Sequence, residues 1–233
     1  NRRYTTAMSE GYAALSDGRF DSAIAAFERA AGIRPQASEP AEGIARAREE
    51  KRVAAIANAR LEAETLERRE EWREVASVYR SILADDASVA FAQSGSRRAS
   101  ARADLDARLQ GFLDNPQRMF SEQVQAAARD ALAEAAAVSE PGPRLRRQMA
   151  TTEKILADAI RPVRVTLESD NLTEIVLYKV GRLGTFDRFQ LELRPGTYTV
   201  VGTRKGFRDV RQQFTVRPGE SAGPFMVRCE EPI

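Results

Sequence analysis

The distribution of alanine divides the chain into two parts that favour different secondary structures. Residues 1–160 contain 37 alanines, whereas residues 161–233 contain one, Ala222. The same tail holds 18 valine, isoleucine or threonine residues and 7 of the 14 glycines. Alanine is the best helix former, and β-branched residues favour strands. We therefore predict an α+β protein with an α-helical domain over 1–160 and a β domain over 161–233, joined at Arg161-Pro162.

Glycine and proline residues divide the first domain into about seven helical segments. The predicted segments are 4–16, 20–34, 39–70, 72–84, 87–113, 117–138 and 143–160. The short connections between them favour antiparallel neighbours, which means stacked helical hairpins. The third segment mixes both charge signs at helical spacings, a pattern typical of an exposed helix, although a coiled-coil or dimer seam is an alternative.

The first hairpin has small and aromatic residues at regular positions: Gly11, Ala14, Gly18, Phe20, Ala23, Phe27, Ala30, Ile33 and Pro35. These spacings resemble those of a tetratricopeptide repeat. A weaker second copy includes Trp72, Val75 and Tyr79, but Ala23 and Val75 are 52 positions apart, whereas repeats of that family recur at about 34 residues. The resemblance implies an irregular array of helical hairpins that docks other proteins.

The resemblance also implies a groove lined by the first helix of each hairpin. The matching residues are Thr5, Met8, Tyr12, Arg60, Glu64 and Arg68. Some family members hold a peptide carboxylate with lysine and asparagine at such positions, and this chain has Met8 and Tyr12 instead. A mixed apolar and arginine-bearing groove suits a helix or an extended peptide with an acidic residue. The alternative is that Met8 and Tyr12 simply pack against the next helix.

From Pro162 onward, apolar and polar residues alternate with a period of two, as in β-strands. Val163, Val165 and Leu167 begin this pattern, and turn sequences such as Arg194-Pro195-Gly196 and Lys205-Gly206 interrupt it. Six or seven short strands at this spacing predict a small antiparallel β-sandwich.

A second resemblance lies in the tail. The stretch from Leu193 to Val200 (LRPGTYTV), then Gly206-Phe207, then 216–219 (VRPG), is similar to the PEGA-type domain, a small bacterial β-sandwich. The match covers about 60 residues, and it departs from the family pattern at 169–173, where the usual P-x-G-A turn is replaced. The resemblance implies a non-catalytic module of envelope and surface proteins.

The composition argues against an enzyme. The chain has no histidine, the commonest general base and metal ligand, and one cysteine, Cys229. Cys229 alternates with apolar positions, which indicates a buried thiol. We therefore expect no catalytic residues, no metal site, no cofactor and no small-molecule substrate. The net charge of +2 does not favour nucleic acid as a partner. An enzyme would need a pair of carboxylates in one cleft.

A basic cluster surrounds the Gly206 turn and consists of Arg204, Lys205, Arg208 and Arg211. It is either a solvated turn or a contact for an anion: lipid headgroups, a cell-wall polymer or the acidic helical domain. A glycan-binding role for the β domain would need an exposed aromatic platform. The candidate aromatic residues are Tyr178, Phe186, Tyr198 and Phe207.

Together, the two resemblances imply a non-catalytic adaptor or scaffold of the bacterial cell envelope. We expect it to bind envelope proteins or peptides through the helical groove, with a glycan- or cell-wall-binding module as the alternative. The expected location is the periplasm, with a segment before Asn1 tethering the protein to the inner membrane.

Overall fold

A computed structural model of the protein describes all residues from Asn1 to Ile233 and is α+β, with seven α-helices followed by seven strands. The helices are α1 (Arg2–Ser16), α2 (Phe20–Ile33), α3 (Glu39–Arg68), α4 (Trp72–Asp85), α5 (Ala90–Asp114), α6 (Glu122–Ala136) and α7 (Pro143–Ile160). The strands are β1 (Val163–Glu168), β2 (Glu174–Leu177), β3 (Gly181–Gly184), β4 (Arg188–Leu193), β5 (Gly196–Thr203), β6 (Val210–Val216) and β7 (Ala222–Met226). The change from helix to strand occurs between Ile160 and Val163, as the composition predicts.

One predicted helix is wrong in its first turn. The segment 117–138 begins as a separate 3₁₀ helix, Pro116–Phe120, and α6 starts only at Glu122. The break lies at Ser121, whose backbone is extended, with φ −90° and ψ 130°. Pro116 occupies the first position of the 3₁₀ helix, where its missing N–H leaves no hydrogen bond unmade.

An aromatic ring on the middle helix lies at the centre of each of the first two helical groups. Phe27 of α2 packs against Gly11 of α1 and Gly43 of α3, where added Cβ atoms would come within 2.5 and 2.8 Å of the ring. Tyr79 of α4 packs in the same way against Gly95 of α5, at 2.5 Å, and shares its core cluster with Ala63 of α3. The small residues let the helices approach closely enough to enclose each ring.

The two groups repeat with an offset of 52 positions. This offset relates Gly11 to Ala63, Phe27 to Tyr79 and Gly43 to Gly95. It also relates the turns before α2 and α4, where Gly18 and Glu70 have positive φ angles of 72° and 57°. The repeat is longer than a tetratricopeptide unit because one long helix belongs to two groups.

That shared helix is α3. Ala47 in its first half is buried in the cluster of α1 and α2, and Ala63 in its second half is buried in the cluster of α4. In α5, Ala92 and Ala99 belong to the second cluster, whereas Leu105 belongs to a cluster with α6 and α7. Each long helix therefore buries different stripes along its length.

The chain forms two compact units, Asn1–Ala103 and Asp104–Ile233. The first unit contains α1 to α4 and the first part of α5. The second contains the rest of α5, the 3₁₀ helix, α6, α7 and all seven strands.

The strands form two sheets, one with the order β4-β1-β7 and one with the order β3-β2-β5-β6. Most neighbouring strands are antiparallel, as predicted, but β7 pairs with β1 in parallel, so the prediction of a purely antiparallel arrangement is wrong at this pair. Parallel pairing requires a long connection between the two strands, and β1 and β7 have one because they are the first and last strands in the chain. The alternating residues of β1, Val163, Val165 and Leu167, are buried.

Candidate functional site

The three predicted groove residues of α1 have different surroundings. Thr5 is exposed, and its hydroxyl donates a hydrogen bond to the carbonyl of Asn1 at 3.2 Å. Met8 is 9% exposed and belongs to the core cluster, so it offers no open surface. Tyr12 is 48% exposed, and its ring meets the ring of Phe27 edge-on, with centroids 5.1 Å apart. Of these three residues, Tyr12 is the one with a large exposed apolar surface.

The three predicted groove residues of α3 lie near the end of that helix. The Arg60 guanidinium pairs with Glu64 at 3.2 Å and lies over the ring of Phe91, 5.2 Å from its centroid. Arg68 is exposed and donates a hydrogen bond to the Thr65 hydroxyl at 3.0 Å. These local contacts hold the charged side chains along one side of the helix.

The α1 and α3 residues are not brought together across a single groove. The Tyr4 hydroxyl donates to Glu39 at 3.4 Å, so α1 begins beside the first residue of α3. Both helices pack on α2 and run in the same direction, and α1 is only 15 residues long. With Tyr4 level with Glu39 and a rise of 1.5 Å per residue, Arg60 lies about 14 Å beyond the level at which α1 ends. The predicted residues form two surface regions that follow one another along α3.

Sequence reasoning did not single out the apolar residues of this surface. Val53, Ala57 and Leu61 are spaced by four positions on α3 and share one stripe of the helix. Val53 is 54% exposed and Leu61 is 63% exposed. The sequence carries the four-residue spacing, but only the packing of α3 shows that this stripe faces solvent, whereas Ile56, three positions after Val53, is partly buried. We call Val53, Ala57 and Leu61 the α3 stripe.

Most of the predicted basic cluster is engaged within the β region. Arg204 pairs with Asp170 at 3.1 Å and lies over the ring of Phe207, 4.2 Å from its centroid. Arg208 pairs with Glu231 at 3.4 Å. Arg211 lies over the ring of Tyr178 at 5.8 Å. Lys205 is exposed at the turn. The cluster is therefore partly neutralised by neighbouring acids.

The four aromatic candidates for a glycan platform do not share one open surface. Phe186 is buried, and its ring packs against that of Phe189, with centroids 5.3 Å apart. Tyr198 is half-buried and donates its hydroxyl to the Arg194 carbonyl at 2.9 Å. Phe207 is covered by Arg204, and Tyr178 is 48% exposed.

Asp170 organises the turn between β1 and β2. Its Oδ1 accepts hydrogen bonds from the backbone N–H groups of Leu172, at 3.0 Å, and Thr173, at 2.8 Å. Partial burial raises the pKa of the Asp170 carboxyl, but the backbone hydrogen bonds from Thr173 and Leu172 lower it more, so that the pKa falls to about 2. A carboxylate that accepts several N–H bonds is stabilised in its charged form. This turn is a structural unit of the β region.

Cys229 is buried, as the alternation of apolar residues predicts. Its backbone N–H donates to the Thr173 hydroxyl at 3.1 Å, and its thiol contacts the Gly202 carbonyl at 3.3 Å. No group of three or more cysteine, aspartate or glutamate side chains is arranged to hold a metal ion. None of the helices combines the length and the apolar character that crossing a membrane requires.

No family of known proteins matches this chain, and no curated protein matches it in sequence.

Proposed function

We propose that the protein is a non-catalytic adaptor that docks a partner protein on the exposed α3 stripe. The observation that carries this proposal is the exposure of Val53 and Leu61, which present apolar side chains to water in the middle of a charged helix. Burying such side chains against a partner is favourable by about 25 cal/mol per Å². Arg60, Glu64 and Arg68 flank the stripe and provide a polar rim.

The two resemblances support the same function. We infer that the helical groups are an irregular variant of the tetratricopeptide array, because each encloses an aromatic ring between small residues of the neighbouring helices. We infer that the two sheets pack as a PEGA-like sandwich. In support, one core cluster combines Val165 and Leu167 of the first sheet with Ile175, Leu177 and Val200 of the second. An envelope location follows from the PEGA-like resemblance and is part of the proposal.

Site-specific photo-crosslinking tests the docking surface. A photoreactive phenylalanine analogue replaces Ala57 in the full chain, and a second version carries it at the exposed Arg217 as a control. We expect one protein partner to be captured at position 57 and not at 217. The substitution Leu61→Asp, which places a charge in the stripe, should weaken the binding of the purified partner about tenfold or more.

A matched substitution separates docking from a general effect on the helix. Glu62→Asp, next to Leu61 on an exposed side of α3, should leave binding unchanged. Capture that is equal at positions 57 and 217, or that survives Leu61→Asp, contradicts the proposal. Capture of cell-wall fragments in place of a protein at position 57 also contradicts it.

A further inference from the structure

A second surface, independent of the α3 stripe, lies in the unit Asp104–Ile233. It is a cleft of about 900 Å³, a size typical of ligand sites. The junction between the 3₁₀ helix and α6 forms one wall. The turns between β2 and β3 and between β4 and β5 form the other, so that the residues of the LRPGTYTV motif from 194 to 198 line the cleft.

The cleft has apolar side chains along its lining. Phe120 and Val124 contribute from the helical wall, and Val180 and Tyr198 contribute from the strand turns. Val180 is 47% exposed, so its apolar side chain is available for contact with a ligand. The hydrogen bond from the Tyr198 hydroxyl to the Arg194 carbonyl holds that ring against its own turn. A ligand in the cleft would therefore meet both apolar surface and fixed polar groups.

The charge of the lining is strongly one-sided. Arg118, Lys179 and Arg194 all line the cleft, and Glu122 is the single acidic residue among the lining side chains. None of the three basic residues forms an ion pair with a carboxylate of the chain, whereas two of the four residues of the basic cluster near Gly206, Arg204 and Arg208, do. Three unpaired cations beside one acid favour an anionic ligand.

The backbone of Lys179 adds a further observation. Its φ angle is 70°, in the left-handed region that glycine adopts without cost and lysine does not. The turn therefore carries a charged residue at a position where glycine would fit better. Strained residues of this kind cluster at binding sites. A role for the ammonium group in the cleft accounts for lysine at this position.

We propose that this cleft binds an acidic peptide segment in which an apolar side chain lies between carboxylates. The apolar lining would take the central side chain, and Arg118, Lys179 and Arg194 would contact the flanking carboxylates. A bilayer surface does not fit, because its headgroups lie in a plane and the cleft is concave. A long anionic polymer would need a track of cations, and the cleft offers three at one place.

Binding of short peptides to the full chain tests this proposal. The probes are the blocked pentapeptides EEFEE, QQFQQ and KKFKK, labelled with a fluorophore and followed by anisotropy. We expect EEFEE to bind more tightly than the other two, with an affinity that falls as salt is added. Arg118→Gln and Arg194→Gln should each weaken EEFEE about fivefold, whereas Arg217→Gln, outside the cleft, should not.

Lys179→Gly distinguishes loss of binding from loss of folding. Glycine relieves the left-handed backbone and removes the ammonium group, so the variant should unfold at a higher temperature and yet bind EEFEE several-fold more weakly. The proposal is overturned if EEFEE binds no better than QQFQQ, or if the three cleft variants bind it as well as the wild type. It is also overturned if phosphatidylglycerol vesicles bind through these residues and EEFEE does not.

Discussion

At the scale of single residues, the glycines of the first helical group allow close packing because they have no Cβ atom. Gly11 and Gly43 face the same Phe27 ring from two helices, and neither position has room for a methyl group. Phe27 is fully buried, so its ring has little space into which to move. The identity of these glycines is therefore set by packing and not by backbone conformation, since neither has a positive φ.

We predict that Gly11→Ala and Gly43→Ala each lower the free energy of unfolding by about 1–3 kcal/mol, because overpacking a tight core forces neighbouring groups apart. Gly32→Ala is the control. It lies in α2, where an added methyl group would have no other atom within 4 Å, and alanine is the better helix former, so stability should rise by up to about 1 kcal/mol. Denaturant unfolding measures all three. Equal effects of the three substitutions would contradict this packing.

A second residue-scale prediction concerns Asp170. Its pKa in the folded protein, about 2, is below the ordinary value of 3.8, so the ionised carboxylate stabilises the fold above about pH 4. This contribution is lost as the pH falls from about 4 towards 2. Because the side chain is 21% exposed, solvent screening reduces the effect, and we expect about 1–2 kcal/mol.

Asp170→Asn tests this dependence. The variant should be less stable than the wild type at pH 5, and the difference should shrink as the pH approaches 2, as measured by urea unfolding at several pH values. Asp209→Asn, at an exposed aspartate of the same region, is the control substitution. A constant difference between Asp170→Asn and the wild type at every pH would show that the carboxylate charge plays no part.

At the scale of elements, the last strand depends on one close backbone approach. Gly223 in β7 has a φ of 99°, and an added Cβ would lie far inside van der Waals contact with the carbonyl oxygen of Thr166 in β1. Gly219, in the preceding turn, also has a positive φ, 85°, but an added Cβ there would have nothing within 4 Å. A substitution at Gly219 would therefore cause conformational strain alone, whereas a substitution at Gly223 would cause both strain and a clash with the backbone.

We predict that Gly219→Ala costs about 1–2 kcal/mol, the penalty of a left-handed conformation. Gly223→Ala should cost more, because it adds a clash with a backbone atom that cannot move without breaking the pairing of β1 and β7. Thermal unfolding compares the two variants, and hydrogen exchange reports whether the amides of β7 lose protection. A cost at Gly223 no larger than that at Gly219 would contradict the parallel pairing.

At the scale of the whole molecule, the apolar cores are local. The cluster of the β region contains residues between Val163 and Val227, and the cluster around Phe27 contains residues between Tyr4 and Ala47. The remaining clusters are likewise confined to neighbouring helices. Structures built from such local groups unfold in parts, because each group contacts mainly its sequence neighbours.

We therefore predict that destabilisation stays local. Gly11→Ala should raise amide exchange in α1, α2 and the first half of α3, and leave the strands unchanged. Gly223→Ala should raise exchange in the strands and leave α1 and α2 unchanged. Hydrogen exchange with mass spectrometry measures both variants on the full chain. A uniform rise in exchange throughout the protein would indicate a single cooperative unit.

The secondary structure and the position at which helix changes to strand could be predicted along the chain. They depend on local properties, such as the alanine content before Ile160, the alternation in β1 and the residues of the turns. The 52-position relation of Ala23 and Val75 was also visible as an irregular spacing. Its cause, a helix shared between two groups, appears only once α3 is seen to bury Ala47 and Ala63 in different clusters.

Which side chains face water, and which distant segments meet, depends on the folded protein. The helical pattern was compatible with Met8 lining a groove, but the packing of α1 buries this residue. The same pattern did not show whether Leu61 faces the core or solvent, and the packing of α3 exposes it. The cleft basic residues Arg118, Lys179 and Arg194 come from three separate connections and share no sequence pattern. Local propensity depends on near neighbours in the chain, whereas burial and charge clustering depend on contacts between remote segments, and those contacts exist only in the tertiary structure.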